Sequence, residues 1–555
     1  ISGRLWDSFF REEFRRRKGY DICDYLPCLF GEYEPYFAKI RLDYYDVIVS
    51  REEENYFKVV YDWHEERNMV YGCDHGGRGY DLTEFGDYFQ TQKFNQGPGC
   101  DQPNLASDIV KNKVASSISH LYARKRTWLE GFYGSGWGTS GGEFMDAVAR
   151  NFVMGHNLLS VHGMYYSTHG GWWEWAPPCN TYHMPYWDDM GNAFRAIERM
   201  SYMLSQGVHR CDIAVLYPVM AAEGGIEADR AAQTAFDSVR SLYEKGIDVD
   251  FIDHRSVLEA EIRDGRLEKQ GEAYRIIILP EMRTVRIGVM RKLDEFCSEG
   301  GMVWGIGEPP SFGDSWDSEE LRHCLGRIRF GVKVEELADM VGARLMADVI
   351  FPAGTDAKKY MLHRFIEGED FYMVYGGKAG DEYGFHAKGN PVFWNPYDGK
   401  RYAVPAREQG EYLFVRLPLS GSELQLISFS RRAEALPQWR ELPEERRELP
   451  LSDEWDFSLL PCLDNRFGDY SLPASDEMVG PQVRAMRWIR SDCREPGGFL
   501  DGGAMCRCGF GPYYLKKAPF ADRKGYLAAV AKAAGGDREG FLPYEVSMRF
   551  GKWDD

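Results

Sequence analysis

The chain has 555 residues, of which 44% are hydrophobic, 28% charged and 14% aromatic. That length holds roughly three to five domains of about 100–200 residues each, which excludes a lone binding module or a small disulfide scaffold. The net charge of −19, from 67 basic and 86 acidic residues, argues against a general nucleic-acid binder, which must neutralise phosphates. No run of about 18 apolar residues is present to span a membrane.

Residues 1–205 alternate strand-like apolar runs with amphipathic helices. The spacing predicts helices over 9–18, 40–67, 107–124, 143–154 and 189–206. Buried strands are expected over 20–29, 68–73, 126–132 and 157–165, and 74–103 reads as a long loop rich in Gly, Asp and aromatics. Strand, loop and helix in repetition is the βα pattern. Four such units amount to half of a (β/α)8 barrel, whose sites lie on loops at the C-terminal ends of its strands.

Residues 206–330 change character. Near-continuous apolar strands at 211–217, 248–252, 275–279 and 301–305 alternate with helices at 231–244 and 289–299. Such runs belong to a sheet covered on both faces, here a small doubly wound α/β domain similar to flavodoxin. Residues 331–460 turn β-rich, with strands at 371–375, 391–394, 412–417 and 424–429, and read as a β-sandwich. A charged, Pro-flanked stretch at 441–451 reads as a linker, and 461–555 as the start of a further β-rich domain. The chain opens at Ile1 with no Met and no leader-like run, and closes without a tail. Both ends read like the inside of a domain, so a piece of a longer protein is expected.

The twelve Cys form no CxxC pair, so a structural zinc site is not expected, and most read as buried thiols. The α/β segment carries no Ser/Thr-Gly phosphate loop after its first strand and no GxGxxG, which leaves it a structural role. The first 205 residues hold 8 of the 15 Trp and 7 of the 12 His. Glu130 closes the strand at 126–132 and precedes Gly131-Phe132-Tyr133-Gly134-Ser135-Gly136-Trp137, the placement a catalytic acid or base needs; an ion pair with a nearby Arg is the competing role. His162 and Tyr165 follow on the next strand, and His162 reads equally as a ligand contact or a satisfied core histidine. Asp74 and His75 end the strand at 68–73, either at a cleft or in a loop-stabilising turn. Glu32 and Glu34 follow 20–29 as candidate second carboxylates or as solvated loop residues. Trp172, Trp173, Trp175 and Trp187 share one aromatic loop, and with Trp137 offer flat rings on which a sugar can stack.

Several motifs in order resemble glycoside hydrolase family 106, the α-L-rhamnosidases. They are Trp6, Phe10 and Phe14 with Gly19-Tyr20-Asp21 and Tyr25-Leu26-Pro27; Leu129-Glu130-Gly131-Phe132; His162-Gly163; the stretch from Ser201 to Gly207 before Asp212-Ile213-Ala214-Val215-Leu216-Tyr217-Pro218; and Leu463-Asp464-Asn465-Arg466-Phe467-Gly468-Asp469 with Val479-Gly480-Pro481. The resemblance covers most of the chain. It implies a catalytic barrel, a flavodoxin-like insert and β-sandwiches. It also implies inverting hydrolysis of terminal sugars by two Glu, often with bound calcium, on plant or microbial glycans in a bacterial periplasm or cytoplasm. Glu130 matches the general base. The family's Glu-Ala-Phe is Glu-Gly-Phe here, which opens the question of the sugar. The general acid is expected upstream of Ile1, with Glu32 as the candidate inside the chain, while Asp74, His75, His162, Tyr165, Trp137 and Trp173 are the expected substrate contacts. A non-catalytic carbohydrate-binding relative, or a barrel glycosidase for another sugar, are the alternatives.

Overall fold

The computed structural model describes residues 4–440 apart from 74, 76–78, 136–138, 165–179, 181–185, 318, 354–357 and 420–422, together with residue 449. The first segment is helical throughout. Phe10–Lys18, the tight helical turns of Ile22–Leu29 and the helix Phe37–Glu52 enclose an apolar cluster of Phe10, Phe14, Ile22, Leu29, Phe37, Ile40 and Tyr44. The strand expected over 20–29 is therefore corrected to a helix. The Asp21 carboxylate accepts a hydrogen bond from the Cys23 N–H and starts it, and a short apolar run buries equally well in either form. Phe37–Glu52 continues through one wide turn, Glu53–Phe57, into Lys58–Glu65. The strand expected over 68–73 is not formed either. Tyr71 and Cys73 donate their backbone N–H groups to the side chains of Gln96 and Asn95 rather than to a neighbouring strand.

The stretch expected as loop, 74–103, contains the short helix Tyr88–Gln92 and a strand, β1 (Gly99–Gln102). With β2 (Trp128–Gly131) and β3 (Leu158–Val161) it forms a parallel sheet in the order β1-β2-β3. The helix Ile109–Leu121 connects β1 to β2, Gly141–Phe152 connects β2 to β3, and Trp187–Leu204 follows β3. Their starts are set by side chains. Asp108 caps the Val110 N–H, and Ser140 and Glu143 form a reciprocal capping box. Three strand–helix units are present among the described residues, against the four expected, because the strands expected over 20–29 and 68–73 are absent and β1 forms where a loop was expected.

Gly99 is what lets β1 lie against β2. A Cβ there would stand 2.2 Å from the Trp128 carbonyl oxygen. Gly99→Ala is expected to destabilise by about 1–3 kcal/mol, since backbone cannot yield as a side-chain tip can. Chemical denaturation checks this, and wild-type stability would show that the two strands separate freely.

Five further parallel strands follow: β4 (Ile213–Leu216), β5 (Asp250–Ile252), β6 (Ile276–Leu279), β7 (Met302–Ile306) and β8 (Arg329–Val332). Their order is β8-β7-β6-β4-β5. Every residue of β4 and β6 is buried, as the apolar runs demanded. After β8 the described residues form two antiparallel sheets. Glu382–Phe385 lies in the four-stranded sheet, and Glu369–Tyr375 and Gln425–Ser430 lie in the six-stranded one. Their inner faces meet where the Phe385 ring stands 5.3 Å from both Tyr372 and Phe429. The edge of the six-stranded sheet is supplied from before β4. Val208–His209 pairs antiparallel with Arg364 and Phe365 of Tyr360–Ile366. Seven cysteines among the described residues are free thiols, four of them buried. No helix among the described residues is long and apolar enough to cross a membrane.

Candidate active site

The site is built from the alternation of the three parallel strands. Leu129 is fully buried and belongs to the apolar core that also holds Val110, Val114, Ile118 and Phe152 of the flanking helices. Its neighbour Glu130 must therefore face the other way. Register sets Asp101 of β1, Glu130 of β2 and Ser160 of β3 abreast, so these three side chains share one face. The Glu130 side chain is 28% exposed. Asp101 is buried, and Lys111, near the start of the next helix, donates to its backbone carbonyl.

His162 lies just past β3. Its Nε2 stands 3.7 Å from Glu130 Oε1, too far for a hydrogen bond. Burial lowers the His162 pKa and Asp101 opposes that shift, so the ring is neutral at pH 7. The chain around it is anchored by its own backbone. The His162 N–H donates to the Gly131 carbonyl at 2.7 Å, and Asn180 donates from its side chain to the His162 carbonyl at 3.2 Å. Tyr133, after β2, places its ring 5.5 Å from the imidazole. Two peptide bonds here are cis, Gly131-Phe132 and His162-Gly163. Together these groups make a polar surface at the C-terminal ends of β2 and β3. It carries a solvent-accessible carboxylate, a neutral imidazole and a second carboxylate alongside, a set able to accept a proton from water and to bind hydroxyl groups.

Glu130 and His162, both singled out in the sequence, thus lie side by side. Asp101 was missed. Its strand, Gly-Cys-Asp-Gln, carries no apolar alternation, and only its position one loop ahead of the helix that starts at Asp108 could have revealed it. His75 is a correction. It is 1% exposed, its ring packs against Phe57, Phe85 and Tyr88, and its Nε2 meets Thr91 Oγ1 at 3.1 Å. Burial pushes its pKa down to about 4, as for a core histidine. Glu32 is also placed elsewhere. It sits exposed between Ile22–Leu29 and Phe37–Glu52, on a helical unit whose apolar cluster is separate from the one beneath Leu129 and Phe132. Asp74, Trp137, Tyr165 and Trp173 lie outside the described residues.

Calcium takes six to eight oxygen ligands. Among the described residues the one grouping of three or more candidate ligand side chains is His120, His209, Asp250 and Glu272, which does not include Glu130. That grouping, half imidazole, does not fit a calcium ion.

Comparison with known proteins places this geometry. The rhamnosidase of Novosphingobium sp. PP1Y aligns over 80% of this chain and 45% of its own, with a TM-score of 0.63 and 19% identity. A beta-galactosidase from Bacillus circulans sp. alkalophilus aligns over 78% of each chain, with a TM-score of 0.56 and 11% identity. At such identities the likeness is one of fold. A curated relative from Formosa agariphila, described as a putative beta-glucuronidase, is 23% identical over 396 residues, which make up 66% of this chain and 32% of that protein. The chain thus spans less than half of the rhamnosidase and 32% of the curated relative. The family model described as alpha-L-rhamnosidase, glycoside hydrolase family 106, matches residues 2–406. That match includes β1, β2, β3 and Glu130, and by it the chain belongs to glycoside hydrolase family 106.

Proposed function

We propose that this chain carries part of the active centre of a glycosidase that removes terminal α-L-rhamnose-like sugars from glycans by inversion, with Glu130 as general base. The observation that carries this reading is Glu130 itself, a half-open carboxylate at the C-terminal end of a parallel strand, with Asp101 in register beside it. An inverting base must reach a water on the face of the sugar opposite the leaving group. Glu130 has the exposure for that, and Asp101 and His162 flank it as partners for sugar hydroxyls. Trp137, Tyr165 and Trp173 follow β2 and β3 in the chain and supply stacking surfaces. The acid is contributed from outside the carboxylates that the described residues bring to Glu130. In this reading residues 1–205 are part of a (β/α)8 barrel. Residues 206–330 form a flavodoxin-like domain, supported by a strand order that runs 2-1-3-4-5 along the chain, and residues 331–460 form a β-sandwich.

The test is a panel of aryl glycosides offered to the longest form of the protein that contains this chain, with and without chelator. Hydrolysis of the α-L-rhamnoside is the expected outcome, and its loss with chelator would show a metal requirement. Turnover of a β-glucuronide or β-galactoside instead would redirect the sugar assignment. Sugar binding with no turnover of any member would favour a binding protein.

A further inference from the structure

Five segments meet around one buried imidazole. His209, on the edge strand Val208–His209, is fully buried. Its Nε2 stands 3.1 Å from Asp248 Oδ2, and its Nδ1 stands 3.3 Å from both Glu272 Oε2 and Asp250 Oδ2. Lys113 and the two imidazoles hold Asp248 and Asp250 below the usual carboxylate range against burial, and ionised carboxylate oxygens only accept, so each ring nitrogen faces an acceptor and the ring is an imidazolium. Burial raises the Glu272 pKa, which leaves Asp248 and Asp250 as the carboxylates that fix this charge. A neutral ring would turn a lone pair against a carboxylate.

The other groups around it are already partnered. Asp248 accepts from Lys113 Nζ at 3.0 Å, from the Val249 N–H at 2.9 Å and from the His363 N–H at 3.1 Å. Asp250 accepts from Ser117 Oγ and Tyr274 OH, each at 3.0 Å, and from His120 Nδ1 at 3.0 Å. Arg364 donates to the carbonyls of Gln206 and Gly207 beside the edge strand. Lys113, Arg364 and one imidazolium balance Asp248, Asp250 and Glu272.

His120 stacks on His209 with ring centroids 4.0 Å apart and planes 10° from parallel. Two parallel rings cannot both aim in-plane lone pairs at one ion, and the oxygens are committed to donors. The geometry therefore selects a proton over a metal. Burial is the largest influence on His209 and opposes its charge, but Asp250, Asp248 and Glu272 outweigh it and hold its pKa well above 6.5. Burial, reinforced by His209, pushes His120 down to about 3, leaving that ring neutral.

We propose that His209 is a proton latch, a buried imidazolium that ties the edge strand of the antiparallel sheet to the helix Ile109–Leu121, to β5 and to the strand carrying Glu272, and that releases this junction at alkaline pH. The unfolded imidazole titrates near 6.5. A group whose folded pKa is raised contributes fully below its unfolded pKa, and loses that contribution as pH rises through the folded value. Other groups facing the junction are the Cys211 thiol and Tyr274 phenol, both raised by burial, and His363, raised by Asp348 and Asp370 against burial. All three lose their contribution as pH rises, so the test must separate them from His209, and the nitrogen signals exclude the thiol and the phenol. Glu272 meets His209 through its carboxylate, whereas the His363 ring is held by Asp348 and Asp370.

The experiment is the thermal transition of the chain from pH 6 to pH 10 for wild type and Glu272→Gln, together with nitrogen NMR of histidine-labelled protein. Wild type is expected to lose transition temperature as pH rises above about 6.5, until the pH passes the folded pKa of His209. Glu272→Gln is expected to start losing at the same pH but to stop about one unit or more earlier, with a smaller total loss. The imidazole assigned to His209 through its contact with the stacked His120 ring, and so told from His363, is expected to keep both nitrogens protonated at pH 8. Identical alkaline limbs in the two proteins would overturn the latch, as would a His209 imidazole that is neutral at pH 8. A wild-type transition that falls on adding chelator and is restored by zinc would also overturn it, replacing the proton with a cation. The NMR reading needs no variant and stands if Glu272→Gln fails to fold.

Discussion

Glu130→Gln is expected to lower kcat by about 10²- to 10⁴-fold on whichever aryl glycoside the wild-type protein cleaves. KM and overall stability should change little. The amide keeps the size of the carboxylate but cannot take a proton from water. The side chain is partly exposed and outside the apolar core, so its replacement belongs with surface changes of within about 0.5 kcal/mol. Asp101→Asn is the informative companion. If Asp101 binds a sugar hydroxyl equally well in the ground and transition states, the variant raises KM; if it binds only in the transition state, the variant lowers kcat. Steady-state kinetics on both variants, with a denaturation curve for each, checks the assignment. A Glu130→Gln enzyme with wild-type kcat would move the base to another residue.

Lys113→Met should destabilise by about 3–5 kcal/mol, the cost of leaving a buried charge without its partner. Lys113 and Asp248 are both fully buried and 3.0 Å apart. Burial opposes the charge on each, yet Asp248 and Asp250 hold the ammonium charged, and Lys113 and His209 hold Asp248 below the usual carboxylate range. Methionine fills the space of the lysine stem but supplies no charge. The double variant Lys113→Met with Asp248→Asn should recover part of the loss, because it removes the orphaned carboxylate as well. Urea unfolding of the three proteins tests this. A double variant no better than the single one would mean that the lysine acts by packing, through its place over the Tyr243 ring.

The elements legible in the sequence are those whose burial is simple. β4 and β6 read as continuous apolar runs because both their faces are covered, and Ile109–Leu121 read as a helix from one apolar stripe. The run at 20–29 misled because its apolar residues are equally buried by a helix; the capping Asp21 and the internal Pro27 were the discriminating signals. β1 was illegible because its pairing is made by backbone and by glycine, and Asp101 went unseen with it. Glu130 was legible from its strand-end position before a Gly-rich loop. His75 misled because the rings that bury it, Phe57, Phe85 and Tyr88, come together only in the fold. The His209 junction lies furthest from what a sequence can show. His120 and Asp250 are 130 residues apart, and Lys113 and Asp248 are 135 apart.

The strand Val208–His209 has a consequence for how the chain can be cut. It pairs with residues 364 and 365, so everything from β4 to β8 is threaded between two neighbours of one sheet. A recombinant β-rich fragment starting after β8 would lack its own border strand. It would leave the backbone of Tyr360–Ile366 open along one side, a template for pairing with other chains. Fragments meant to stay monomeric must therefore begin before Gly207, because any fragment that starts after His209 leaves that border strand behind.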